Sequence, residues 1–145
     1  MLHTELHRCF LIGQHHANKI IVRRTSRLSL MPGQPKILEY LHSHDCCTQK
    51  EIGEGCFLDK STVTSLLSRM ESTGLICKSP HPSDGRVTMV TLTEKGRRLA
   101  GQVLHIMADT DTLAWKGIPE AERENFLCTF NKIIQNLQKW KDDKE

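Results

Sequence analysis

Residues 48–74 read TQKEIGEGCFLDKSTVTSLLSRMESTG, and this stretch decides the fold. Thr48 and Glu51 have the spacing of a capping box, in which the Thr hydroxyl takes the amide three residues on and the Glu reaches back. A short helix follows and is expected to end near Gly53–Gly55. Asp59 is a second N-cap. After it, Val63, Leu66, Leu67 and Met70 recur at i, i+3, i+4 and i+7, the spacing of one buried helix face. Gly74 supplies a left-handed stop. Two short helices joined by a tight turn, the second with a polar outer face, make a helix-turn-helix.

Toward the C-terminus, Leu75–Ser79 and Val87–Leu92 are β-rich and flank a turn-rich tip, Pro80 to Gly85. They predict a hairpin, the wing of a winged helix. Thr93 then starts a long helix carrying Leu99, Val103, Ile106, Met107 and Leu113, which Gly117 and Pro119 break. The last helix places Phe126, Phe130, Ile133, Leu137 and Trp140 at alternating steps of four and three, an a/d seam. Toward the N-terminus, Pro32 is expected to open a helix with Ile37, Leu38 and Leu41 inward. His42 to Cys47 reads as a turn. Residues 3–28 read as a helix with Leu6, Phe10, Gly13, Ala17, Ile20 and Ile21 near one face.

The expected fold is therefore mainly α with a small β-hairpin. It is one domain, 1–145, with a winged helix-turn-helix lobe at 33–98 and helical regions at 1–30 and 99–145. The outer helices carry more apolar face than the small middle lobe covers. A partner helix from a second copy is the simplest cover.

Composition narrows the function. The chain has 145 residues and a net charge of +3. Six Lys/Arg face one acid in residues 1–36, and seven face four in 59–98, so basic charge is concentrated in those stretches. No apolar run is long enough to span a membrane, and the polar Met1–Cys9 start is unlike a signal peptide, so a cytoplasmic protein is expected. The six cysteines form no C-x-x-C pair, and cytosolic thiols stay reduced. Aromatics at 5% argue against a stacking platform for single strands. The chain has no G-x-S-x-G, no phosphate-cradling glycine loop and no H-E-x-x-H. No catalysis, cofactor or metal is expected.

A specific set of segments resembles the MarR family of bacterial winged helix-turn-helix transcription regulators. They are Met31-Pro-Gly-Gln-Pro-Lys-Ile-Leu38, Thr48-Gln-Lys-Glu-Ile52, Asp59-Lys-Ser-Thr-Val-Thr64, Leu66-Leu-Ser-Arg-Met-Glu71, Gly74-Leu-Ile76, Asp84-Gly-Arg86 and Leu92-Thr-Glu-Lys-Gly96. They come in family order and spacing. The resemblance covers essentially the whole chain and is tightest between 31 and 98. Ile118 departs from it, standing where the family often has a polar N-cap. The resemblance implies a homodimer on pseudo-palindromic double-stranded DNA, dimerised by its outer helices. It also implies release by a small-molecule effector, an oxidant or a metal, with repression the commoner mode.

On this reading the 59–73 helix enters the major groove. Lys60, Ser61, Thr62, Thr64, Ser65, Ser68 and Arg69 are its polar surface, and small hydroxyls allow close approach. The positive helix start should lie next to phosphate. Arg86 is the wing-tip residue for a narrow minor groove, with Asp84 holding its guanidinium by a bidentate pair. Lys78, Lys95, Arg97 and Arg98 are candidates for backbone attraction.

Three features are sensor candidates. Cys9 resembles the reactive cysteine of hydroperoxide-sensing members, but the chain's one tyrosine, Tyr40, lies in another helix, and Met31 stands where those sensors carry tyrosine. His42, His44, Cys46 and Cys47 form the densest set of soft ligands. His15 and His16, one of them expected inward, would border an effector cavity. The alternatives are a redox- or metal-responsive regulator of the same fold, and a winged-helix protein-interaction module that binds no DNA.

Overall fold

The computed structural model describes residues 2–140. Met1 and residues 141–145, the end of the predicted C-terminal helical region, lie outside the described residues. The element order is α1 (Leu6–Ser26), α2 (Gln34–Ser43), β1 (Cys47–Thr48), α3 (Gln49–Cys56), α4 (Lys60–Ser72), β2 (Ile76–Pro80), β3 (Thr88–Leu92), α5 (Glu94–Ala114) and α6 (Glu120–Gln138). No described helix is long and apolar enough to cross a membrane. The chain divides into two compact units between Thr110 and Asp111.

In the first unit, α2, α3 and α4 bury Ile37, Leu38, Leu41, Ile52, Val63, Leu67 and Met70 against Ile76 and Val90 of the sheet and Val103 of α5. Full burial of each such side chain stabilises the fold by about 1.5–3 kcal/mol. The expected stripe on α4 is thus the core face. Its start is capped by Asp59, and Gly74 follows its end at φ 76°.

The second proline of the 31–38 segment, not the first, begins α2. Pro32 and Gly33 (φ 91°) form a turn in which the Gln34 amide donates to the Met31 carbonyl at 3.1 Å. Proline followed by a positive-φ glycine is what a type II turn requires. The Gln34 side chain closes the turn by accepting from the Met31 amide at 3.0 Å. Pro35 then takes the first helical turn, where its missing N–H is no loss.

The glycines of α3 do not end it. The helix runs through Gly53 and Gly55 to Cys56, and Phe57 (φ 55°) caps it in the left-handed region. A Cβ on Gly55 would collide with the Tyr40 ring, and one on Gly53 would lie 3.2 Å from the Leu58 carbonyl. These glycines serve close packing. Gly96 has the same role, since its missing Cβ leaves room for the Leu75 carbonyl under the start of α5.

Residues 42–47 also differ from the expected turn, because α2 runs through Ser43 and a strand starts at Cys47. Cys47–Thr48 is a short strand pairing antiparallel with β3, Cys47 opposite Val90, and the sheet order is β1-β3-β2. Asp45 fixes it. One carboxylate oxygen accepts the Cys46 amide at 3.0 Å and the Leu92 amide at 3.1 Å, and the other pairs with Arg97 at 2.6 Å. Partial burial disfavours the charge, but the Leu92 amide and Arg97 outweigh it and lower the Asp45 pKa. A lowered carboxyl pKa contributes stability that is complete above the ordinary value near 3.8 and is lost as pH falls through the folded value. Asp45→Ala should therefore destabilise the chain by roughly 2 kcal/mol at neutral pH, with little of the ion pair counted because Arg97 is exposed. Urea unfolding at pH 7 and pH 3 checks this, and the gap between parent and variant should narrow at the lower pH.

In the second unit, Gly117 turns the chain at φ 77° and Pro119 stands at the N-cap of α6. Arg123 Nε donates to the Ile118 carbonyl at 2.8 Å. Trp115 meets Phe126 edge-on, centroids 5.8 Å apart. None of the 19 residues of α6 is buried, and Trp140, the last residue of the predicted seam, lies beyond the helix end.

Candidate nucleic-acid interface

α4 presents Lys60, Ser61, Thr64, Ser65, Ser68 and Arg69 to solvent, with Thr62 half-buried. The hydroxyls nearest the helix start are committed as donors. Ser61 and Thr62 donate to the Asp59 carboxylate at 2.7 and 2.8 Å, and the Thr62 amide adds a third bond at 2.8 Å. That amide, together with the two hydroxyls, lowers the Asp59 pKa to about 2. The positive helix start expected beside phosphate therefore already holds an anion. Thr64 donates to the Lys60 carbonyl and accepts from Gln49 Nε2 of α3 at 2.7 Å. Ser61, Thr62 and Thr64 thus offer lone pairs outward. Ser65 and Ser68 make no side-chain hydrogen bond among the described residues, so their protons are free to donate.

Arg69 stands at the far end of α4. Its Nη1 lies 3.1 Å from the Met31 sulfur in the turn before α2.

The wing corrects the expected pairing of Asp84 with Arg86. Asp84 accepts the Arg86 backbone amide at 3.0 Å, and no ion pair joins the two side chains. An Asp two residues before an amide closes a local turn more readily than it meets a long, exposed guanidinium. Arg86 instead lines a groove of about 680 Å³ with Lys50 of α3 and Lys60 of α4. None of these three cations is in an ion pair among the described residues. One acid, Glu54, shares the groove, and Leu58, Val63 and Val87 are among its lining residues. Lys50 was missed in the sequence reading. The capping box had already placed the start of α3 and pointed to its first turn.

Three of the four cations considered for backbone attraction have internal partners. Lys95 Nζ donates to the Thr73 carbonyl at 2.9 Å, Arg97 holds Asp45, and Arg98 lies 3.5 Å from Glu94. Among the described residues, only Lys78 of that group has no such bond.

The sensor candidates are not brought together. The Cys9 thiol donates to the His3 carbonyl at 3.5 Å on the exposed start of α1. His15 and His16 meet edge-on at 5.2 Å, and both are exposed in the single chain, against the expectation that one points inward. His44 stacks on Tyr40 at 4.2 Å. Cys47 is buried, and burial pushes its thiol up to about 11, which leaves it inert as a ligand or nucleophile. Among the described residues no three His, Cys, Asp or Glu side chains gather around one point.

A second cavity, of about 630 Å³, opens beside the C-terminal half of α4. Leu28, Leu30, Leu75 and Leu99 line it, with Arg69, Lys95 and Arg98 at its walls.

Comparison with known proteins agrees with this geometry. The MarR family model matches residues 30–88. The organic hydroperoxide resistance transcriptional regulator of Bacillus subtilis is 32% identical over 68% of this chain and 68% of its own length. The transcriptional repressor IacR of Pseudomonas putida is 27% identical over 71% of this chain. That match spans 62% of the repressor's length. A MarR family regulator from Listeria monocytogenes, solved with a 26mer DNA, superposes with a TM-score of 0.85 at 21% identity, covering 93% of this chain and 90% of that one.

Proposed function

The chain belongs to the MarR family, and from that premise we propose that it is a cytoplasmic, sequence-specific regulator of transcription that binds double-stranded DNA as a homodimer. The observation that carries this reading is the groove between α4 and the wing, lined by Lys50, Lys60 and Arg86, which form no ion pair among the described residues. A phosphate backbone can pass along such a groove while α4 enters the major groove on one side and the wing meets the minor groove on the other. Ser65 and Arg69 read base edges beside Ser61 and Thr64. Lys60 answers phosphate. Thr62 and Asp59 hold the helix start, and Asp84 shapes the turn that carries Arg86.

Dimerisation falls to the helical regions, 1–30 and 99–145. Leu6, Leu11 and Val22 of α1 are exposed in the single chain, as are Leu127, Ile134 and Leu137 of α6. The two α4 helices of the pair then meet half-sites about one helical turn (~34 Å) apart. The cavity beside α4 suits an amphiphilic organic anion, with an apolar body against the four leucines and its charge toward Arg69, Lys95 and Arg98. Such an effector would draw on the same arginine that α4 offers to DNA, which favours ligand-released repression. His15, His16 and Cys9 do not line that cavity. Nothing in this arrangement prepares a bond-breaking step, and the relatives are regulators rather than catalysts.

Selection of binding sites from a randomised duplex library, at fixed salt, tests the division of labour. Ser65→Ala should relax the preference at one position of each half-site, at about 1–3 kcal/mol. Arg86→Ala should weaken binding while leaving the half-site core unchanged, with its loss at flanking A·T-rich positions where the minor groove is narrow. A core preference altered by Arg86→Ala and untouched by Ser65→Ala would reverse the assignment.

A further inference from the structure

Met31 is 45% exposed, in the turn that leads into α2, and its sulfur lies 3.1 Å from Arg69 Nη1. Both side chains line the cavity beside α4, which is open to solvent. A thioether is a weak acceptor, so it holds a guanidinium loosely. A sulfoxide oxygen is a strong one, and with a cationic donor it makes a charge-assisted bond. We propose that Met31 is an oxidation site whose sulfoxide clamps Arg69 and so weakens DNA binding. This inference rests on the regulatory reading given above.

The oxidant is hydrogen peroxide or an alkyl hydroperoxide. The Met31 sulfur lone pair attacks one peroxide oxygen, the O–O bond breaks and an S–O bond forms. Sulfur loses two electrons, and the peroxide leaves as water or an alcohol after its own proton moves to the departing oxygen. The product is polar, and its oxygen sits beside the guanidinium without a change of backbone. Arg69 is then held toward the cavity instead of turning out to a base edge or phosphate. The sulfoxide oxygen occupies the place an anionic effector would take, so oxidation and ligand act on the same residue. Among the described residues the other methionines are less accessible: Met70 is fully buried, and Met89 and Met107 are half-buried.

The test uses the full chain treated with limiting hydrogen peroxide and then with dithiothreitol, which returns oxidised thiols to their reduced form and leaves sulfoxide in place. Trypsin releases residues 28–36, a peptide with Met31 as its one methionine. That peptide should gain one oxygen before the peptides carrying Met70, Met89 or Met107. Affinity for a duplex selected by the reduced protein should fall about a hundredfold, the loss of one arginine contact in each lobe of the dimer, and methionine sulfoxide reductase should restore it. Met31→Leu should bind as the reduced parent does and keep that affinity after peroxide. Met31→Gln, with a permanent amide acceptor, should bind weakly without peroxide. Unchanged affinity with the 28–36 peptide fully oxidised would overturn the proposal, as would a loss that persists in Met31→Leu. Reduced protein that selects no duplex at all would instead sink the regulatory reading, and this inference with it.

Discussion

Deleting residues 118–145 should convert the chain to a monomer and lower its affinity for a two-half-site operator by about 10²–10⁴-fold. α6 is a 19-residue amphipathic helix in which no side chain is buried within the single chain. Leu137 is 61% exposed and Trp140 73%. A helix of that length gains most of its stability from packing its apolar face, and aqueous exposure of such a face is costly. A second copy packed on it would remove it from water and simultaneously link two DNA-binding lobes. Each lobe alone makes one half-site's contacts. Linked, the second lobe binds at a high effective concentration, and that advantage is what the deletion removes. The hydrophobic core lies wholly within the first unit, so the shortened chain should keep its cooperative unfolding. Leu137→Glu is the milder version and should weaken the dimer through a buried, unpaired charge. Sedimentation equilibrium checks both. A soluble dimer of undiminished DNA affinity lacking residues 118–145 would show that α6 is not the interface.

The parts of the fold legible in the sequence are those set by near neighbours. Asp59 caps α4 through a residue three positions on, and Val63, Leu67 and Met70 repeat on one helix face, so both read directly. Thr48 is legible for the same reason, since its hydroxyl accepts the Glu51 amide at 3.1 Å. What was missed depends on distant residues. β1 has two residues and exists because Cys47 pairs with Val90 and Asp45 bonds the Leu92 amide. Gly53 and Gly55 look like a helix end until the Tyr40 ring is placed against them. Pro32 and Pro35 are equally good helix openers locally, and Gly33 decides between them by its positive φ.

The candidate site divides the same way. The polar face of α4 and the wing arginine follow from pattern. Lys50 joins Lys60 and Arg86 only when the hairpin folds back beside α3 and α4. Arg69 looks like one more recognition residue in the sequence. Its contact with Met31, 38 positions away, is a product of the α1–α2 turn lying beside the end of α4. Asp84 and Arg86 suggested an ion pair because opposite charges stand two apart, but turn closure took the carboxylate.

The groove cations carry the second large effect. Counterion release makes the logarithm of affinity fall linearly with the logarithm of salt, by about 0.9 for each phosphate neutralised on duplex DNA. On the proposed reading Lys50, Lys60 and Arg86 would answer three phosphates or groove edges in each lobe, and the dimer would double that number. Replacing all three by alanine removes a charge pattern without touching the core, since Lys50, Lys60 and Arg86 are exposed. The variant should keep the parent's melting temperature within a degree or two, because surface substitutions away from packing change stability little. Its DNA affinity should collapse at moderate salt. The measurement is a salt titration of binding to one selected duplex, parent against triple variant. The parent should show a steep slope that becomes shallower by roughly five in the variant, with affinities converging as salt is raised. A parent that binds with no salt dependence, or a triple variant with the parent's slope, would contradict the claim that this groove carries the DNA backbone.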